Sequence, residues 1–380
     1  PFCAKALLSG AMAVRRHTAA VEKQGKALLA TLRPDDKVLV LITRNYGVSD
    51  PILNMGIPEL LLERGYKVIT LSHLPGHALD IADEYENLYY PFGQHILSGA
   101  KLIAHHPNLY AVYLTNHGCG PDTMLSHLFK QEMGDKPYLQ IEVDEHFSNV
   151  GVITRIEAFL NSLNHRPVEV LPKDFVLEQV EIHPCHLPAV PEKDFPLWLP
   201  PLGEYTASLT GYFRAQGVDA HALPHLSAHA LSLGRAETSA KEYLPFPALL
   251  GGILAQQEVD PAPAQFLIPQ TRGAEADGQY ARVIRAVLDR RGNQSAKLVS
   301  PMLETLPATA QNRDALFRTL LAGDILYAAP VDQRADMAAQ WDALPDWKQL
   351  HTAAREIGTL PAKGRRIAAV GTPLCLTELD

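Results

Sequence analysis

One cysteine framed by glycines carries the strongest chemical signal in this chain. Cys119 stands in Asn116-His117-Gly118-Cys119-Gly120-Pro121-Asp122, directly after the apolar run Tyr110 to Leu114. Glycines on both sides let the backbone bend sharply and let a bulky group approach. The carboxyl end of a strand is where α/β proteins place their chemistry. A thiol there has three open roles: ligand to iron, nucleophile, or inert buried group. Residue types alone favour the inert thiol, because no nearby segment supplies an ordered base to activate a nucleophile.

Two other segments offer polar groups at strand ends. Asp144-Glu145-His146 follows the run Tyr138 to Val143 and invites a metal. Neighbours on an extended chain point to opposite faces, so these three converge on one ion only through a sharp turn, and a hydrogen-bonded turn is the favoured reading. Arg44-Asn45-Tyr46-Gly47 follows an earlier strand, and Asn54, Gly56, Pro58 and Glu59 open the next helix. A helix start of that kind can hold an anion. The spacing is neither a Walker loop nor a dinucleotide fingerprint, so nucleotide binding has little support. The sixteen histidines are read as forming neither a His-x-x-x-His nor a His-Glu-x-x-His zinc pattern, and His105-His106 read as solvent-facing. Lys241 to Pro245, around Tyr243, and Gly278 to Tyr280 read as capping and packing positions.

The elements that must position these groups are apolar runs alternating with helical spacings. Lys37 to Thr43 reads as a strand buried on both faces, with Lys67 to Leu71, Tyr110 to Leu114 and Tyr138 to Val143 as its companions. Helices are expected over Asn54 to Leu62, Tyr90 to Ala104 and Thr123 to Met133. Beyond Val143 a further helix places Ile153, Ile156, Leu160 and Leu163 on one face, with Ser148 or Asn149 as its cap. Residues 166–200 are proline-rich and read as an interdomain crossover. The alternation then resumes. Phe195 to Leu199 leads to a helix ending near Ala215, Asp219 to Leu223 and Gln265 to Pro269 are strand-like, and Lys297 to Val299 is a further strand. Between the last two, Tyr280, Val283, Ile284, Val287 and Leu288 recur at helical spacing. The expected architecture is α/β: two lobes with parallel sheets covered by helices on both faces, over residues 1–165 and 201–380.

Length and charge bound the function. The chain has 380 residues, 47% of them hydrophobic, and a net charge of −8. An acidic balance without blocks of like charge argues against a nucleic-acid surface. No apolar run is long enough to span a bilayer and no leader-like segment opens the chain, so a soluble cytoplasmic protein with no membrane partner is expected. The four cysteines, Cys3, Cys119, Cys185 and Cys375, are too few and scattered for a disulfide framework, and Cys185 and Cys375 read as buried free thiols. Opening on Pro1-Phe2-Cys3 and stopping just after Ile367 to Val370, the chain reads as part of a longer polypeptide.

Taken together these segments resemble the 2-hydroxyacyl-CoA dehydratase family. They are closest to its large acyl-CoA dehydratase activase-related and double-cubane-cluster proteins. The resemblance rests on Arg44-Asn45-Tyr46, Asp50-Pro51, Asn54, Gly56 to Glu59, Gly93 to Leu97, Tyr113 to Asp122, Lys136 to Leu139, Asp144 to His146, Gly151 and Thr154 to Phe159. These occur in order over about residues 1–165. It implies tandem flavodoxin-like, Rossmann-like lobes and a 4Fe-4S or double-cubane cluster held by cysteines at the sheet's carboxyl edge. By resemblance Cys119 is the first candidate ligand and Cys3 the second, and thiolate ligation suits iron and sulfide. Asn116, Asp122, Asp144, Glu145, His146, Arg44 and Asn45 would then line the pocket or orient the ligands.

The second half resembles the family's companion region, with one departure. Thr238 to Pro245 and Gly273 to Tyr280 keep the surrounding pattern, but Tyr243 and Glu275 stand where the family has cysteines. Tyrosine is a poor iron–sulfur ligand, so this lobe is expected to have lost its share in a cluster. The first expectation for function is an iron–sulfur component passing low-potential electrons to a difficult reduction or a dehydration. ATP would be used by a separate activase module or partner subunit, and acyl-CoA is a candidate ligand. The alternatives are a cluster-free lobe acting as a docking or regulatory module, and a metal-free small-molecule enzyme using a cleft between the lobes. No catalytic residue is singled out.

Overall fold

The computed structural model describes residues 2–359, apart from 77–78, 117–118, 144–147, 168–179, 240, 272, 274–275, 303–309, 340 and 342–343. The chain divides into two units, Pro1–Cys185 and His186–Asp380, with the division inside the proline-rich 166–200 stretch.

The first unit runs α1 (Phe2–Leu29), β1 (Val38–Ile42), α2 (Asn45–Ser49), α3 (Ile57–Glu63), β2 (Lys67–Thr70), α4 (Pro91–His105), β3 (Leu109–Asn116), α5 (Gly120–Met133), β4 (Leu139–Val143) and α6 (Asn149–Asn164). Its sheet has the order β2-β1-β3-β4 and every pairing is parallel. Covered on both faces, β1 is buried at all five positions, which is why Val38 to Ile42 shows no polar alternation. Leu39, Leu41, Val112, Leu114 and Ile141 pack on one face against Ile57 and Leu61 of α3 and Ile156, Leu160 and Leu163 of α6. On the other face Tyr113 meets Phe129 of α5, ring centroids 4.6 Å apart. Truncating one such side chain to alanine costs about 2–5 kcal/mol.

Three local expectations shift. The helix expected from Asn54 begins at Ile57, because Asn54 forms a turn. Its side chain accepts from the Gly56 N–H at 3.1 Å, and Met55 and Gly56 hold left-handed φ of 59° and 63°. In α6 the buried face contains Val152 in place of Ile153, which is 39% exposed. His106 is buried while His105 is exposed: α4 ends at His105, and His106, its C-cap, leaves the helix in an extended conformation, φ −100° and ψ 116°.

The second unit repeats the plan: β5 (Leu197–Leu199), α7 (Tyr205–Ala215), β6 (Ala220–Ala222), α8 (Ala228–Ala236), α9 (Pro245–Val259), β7 (Ala264–Leu267), α10 (Tyr280–Arg290), β8 (Ala296–Val299), α11 (Ala310–Ala328), α12 (Val331–Ala339) and α13 (Trp347–Thr359). The order β6-β5-β7-β8, again all parallel, reproduces that of the first sheet. Both are flavodoxin-like. Leu197, Leu199, Leu267 and Val299 form a core with Leu209, Tyr212 and Phe213 of α7. Helices α8 and α9 touch backbone to backbone: a Cβ on Gly251 would lie 1.9 Å from the Ala230 carbonyl oxygen. Among the described residues no helix is long and apolar enough to cross a membrane.

Candidate functional site

In an open parallel sheet of this order, the crevice forms where the chain switches from building outward on one side to building outward on the other. Here that point lies between β1 and β3, and the two candidate residues that follow those strands meet across it. The Arg44 Nη2 donates to Cys119 Sγ at 2.6 Å and to Asp122 Oδ1 at 3.0 Å. Its guanidinium lies over the Phe92 ring, 4.7 Å from the centroid.

Each partner is held by the local fold. Arg44 sits at the end of β1 in an extended conformation, φ −65° and ψ 152°, as α2 begins. Cys119 occupies the N-cap of α5 with Pro121 in the first turn. Asp122, 5% exposed, turns back from that turn so that its Oδ2 accepts the Asn116 N–H at 3.0 Å. Asn116 in turn donates from Nδ2 to the Tyr46 hydroxyl at 2.8 Å. Burial pulls the Arg44 guanidinium down, but the charge of Asp122 and the contact with Cys119 outweigh it, and its pKa is raised. Beneath, the fully buried Tyr113 hydroxyl is held well above the ordinary range, first by desolvation and then by the Asp122 charge.

The structure thus gathers Arg44, Asn116, Cys119 and Asp122 into one network, and adds Tyr46 and Phe92. Asn45 is exposed one residue beyond Arg44. Cys3 is a free, exposed thiol on the first turn of α1, about 33 Å along the helix from Gly25, the residue that packs against the Leu71–His73 turn. Asp144, Glu145, His146 and Glu275 lie outside the described residues, as does Cys375. Tyr243 is 44% exposed beside the buried Glu242, whose carboxylate accepts from the Ser239 N–H and hydroxyl and from the Lys241 N–H. Cys185 is half-buried rather than buried.

The loop after β7 echoes the one after β3. In the first unit the N–H of Asn116 reaches the carboxylate six residues on. In the second, the Thr271 N–H and hydroxyl reach Asp277, at 3.2 Å and 2.9 Å.

Two groups escaped the sequence reading. Lys101, 4% exposed in its side chain, lies 2.8 Å from Glu84 and 3.0 Å from Glu132, and the Tyr85 hydroxyl donates to Glu132. Nothing in the spacing of those four residues announces the cluster. His221, His225 and His229 recur every four residues, which corrects the expectation that no His-x-x-x-His spacing occurs. They do not converge: His221 pairs with Asp219, His225 is exposed and His229 pairs with Glu258. An apolar cavity of about 320 Å³ in the second unit, lined by Leu223, Ala230, Leu249 and Val259 among others, does not include Tyr243.

A 4Fe-4S cluster is ordinarily held by four thiolates. Cys119 offers one. Among the described residues no group of three or more His, Cys, Asp or Glu side chains is placed to hold a metal. The described residues therefore do not fit a resident cluster.

Residues 2–74 match the family described as CoA enzyme activase uncharacterised domain (DUF2229). That match supports an activase-related assignment and spans α1 through the turn after β2, Arg44 included. It stops short of Cys119 and of the second unit, and it does not extend to the 2-hydroxyacyl-CoA dehydratases. No curated protein and no solved structure matches the chain.

Proposed function

We propose that this chain is a docking or regulatory module of a CoA enzyme activase-type system and works without a cluster of its own. The observation that carries this reading is that Cys119 stands as a single thiol at an edge where a cluster needs several: among the described residues no group of three or more His, Cys, Asp or Glu side chains is placed to share a metal. The match of residues 2–74 supports the activase setting. Tyr243 and Glu275, standing where the resembled family has cysteines, point the same way. Its partner would be the dehydratase or activase component that carries the redox centre and uses ATP.

One observation favours a second reading. Cys119 lies at the switch point, the position an α/β sheet gives its ligands. An iron–sulfur component whose remaining thiolates come from another chain would place a ligand there, as would a low-potential electron carrier acting on an acyl-CoA.

Iron and acid-labile sulfide, measured on protein purified anaerobically from cells able to build clusters, separate the two. Trace iron alike in the parent and in Cys119→Ala is the expected result. Stoichiometric iron and sulfide that disappear in Cys119→Ala would replace the first reading by the second.

A further inference from the structure

Helices α8 and α9 are pinned together at two glycines, and a cavity opens beside that contact. A Cβ on Gly234 would lie 1.8 Å from the Pro247 carbonyl oxygen, so the two backbones cannot slide apart or closer without cost. One residue beyond Gly251 the space is free: a Cβ on Gly252 would meet only Leu223 Cδ1, at an ordinary 3.7 Å. The cavity of about 320 Å³ lies there. Ala248, Gly252, Ala255 and Val259 recur every three or four residues of α9 and form one wall. Pro201, following β5, and Leu223, directly after β6, belong to the opposite lining.

One amide stands in this apolar wall. Gln256 shares the same face of α9 and is 8% exposed. Among the described residues no group hydrogen-bonds its side chain. The next residue, Gln257, is as deeply buried and is satisfied, accepting from the Ser295 hydroxyl at 2.7 Å. A buried amide without a partner is costly. A ligand that brings a donor and an acceptor to Gln256 removes that cost.

The remaining lining refuses charge. No lysine or arginine lines the cavity, and its one carboxylate, Glu258, lies 2.7 Å from His229. His225 is exposed at the rim. The start of α8 is capped by the Ser227 hydroxyl, which accepts the Ala230 N–H at 3.1 Å. An ionic head taken from water finds no free counter-charge here. Size sets the other limit: about 150 Å³ holds a benzene ring, so this volume takes about ten to twelve non-hydrogen atoms.

We propose that this cavity binds a small uncharged amphiphile, a hydrocarbon body carrying one carboxamide or hydroxyl group set against Gln256. The site lies within the second unit and stands independently of Cys119 and of the docking reading above.

The probes are octanamide and octanoate, equal in chain length and in non-hydrogen atoms, titrated into the full chain by calorimetry at pH 8. Octanamide is expected to bind one to one with a Kd below about 1 mM. Octanoate should bind at least about tenfold more weakly. Gln256→Leu should weaken octanamide about tenfold, the loss of one hydrogen bond, and narrow its advantage over octanoate. Ala255→Leu, at a half-buried position of the cavity wall, should abolish binding by filling the space. Circular dichroism checks that both variants keep their helix content, and the comparison of the two probes on the parent chain needs neither variant. No binding of octanamide, octanoate bound as tightly as octanamide, or binding that survives either substitution unchanged overturns the proposal.

Discussion

Arg44 and Asp122 form an ion pair of 3.0 Å across the crevice between β1 and β3, with 19% and 6% of their side chains exposed. The pair joins segments 78 residues apart in the chain, and Cys119 shares its guanidinium.

Removing one partner should cost more than the pair contributes. Arg44→Leu leaves the Asp122 carboxylate buried without its counter-ion, a loss of about 3–5 kcal/mol. Urea unfolding should register it as a lower midpoint. Arg44→Leu with Asp122→Asn should recover part of that loss, and a double variant no more stable than Arg44→Leu would show that the pair is not the cause.

His106 predicts a pH dependence. Desolvation first, and the Lys136 charge second, depress it from 6.5 to about 4. The folded protein therefore holds it neutral where the unfolded chain would protonate it. Its contribution is fully present above 6.5 and is lost as pH falls toward 4, at no more than about 1.4 kcal/mol per pH unit. His106→Asn keeps an acceptor for the Asn108 N–H, which His106 Nδ1 now receives at 3.2 Å. That variant should flatten the dependence of the urea midpoint between pH 7 and pH 4.5. An unchanged slope would assign it to other groups.

Lys101 stands between two buried carboxylates. Lys101→Met should destabilise the first unit by about 3–5 kcal/mol, because Glu84 and Glu132 then face each other without a cation. Lys101→Met with Glu84→Gln should be the more stable of the two variants, which thermal unfolding can read directly.

Gly25→Ala should lift the end of α1 from its seat, since the added carbon would fall 1.9 Å from the His73 carbonyl oxygen. The measurement is limited trypsin digestion. Cleavage after Lys23 and Lys26 should accelerate in the variant while the rest of the unit stays resistant, and an unchanged pattern would show that the turn yields instead.

The strands were legible because burial on both faces leaves continuous apolar runs, such as Val38 to Ile42, bounded by polar and glycine-rich turns. Several helices were not. The face that α1 turns to its unit runs through Thr18, Val21, Gly25 and Leu28, where threonine and glycine interrupt the apolar stripe. Helix α9 opens on Pro245 and Pro247 and is apolar nearly all round, so it shows no periodicity. Arg44 and Cys119 each stood out at a strand end, but their meeting is a property of strand order. Burial was misread where one residue decides it: Ile153 is 39% exposed, Cys185 is half-buried, and of two adjacent histidines that look like surface His106 is buried while His105 stays in water.

The twin carboxylate loops say something about how such a site can age. Asp122 and Asp277 each anchor a backbone N–H six residues upstream, and only the first has a cysteine known to lie within reach of the same network. The loop's shape is kept by an acid that owes nothing to the thiol. Chemistry at this position is thus a removable fitting on a self-supporting mount: a single codon can delete the sulfur and leave the socket standing.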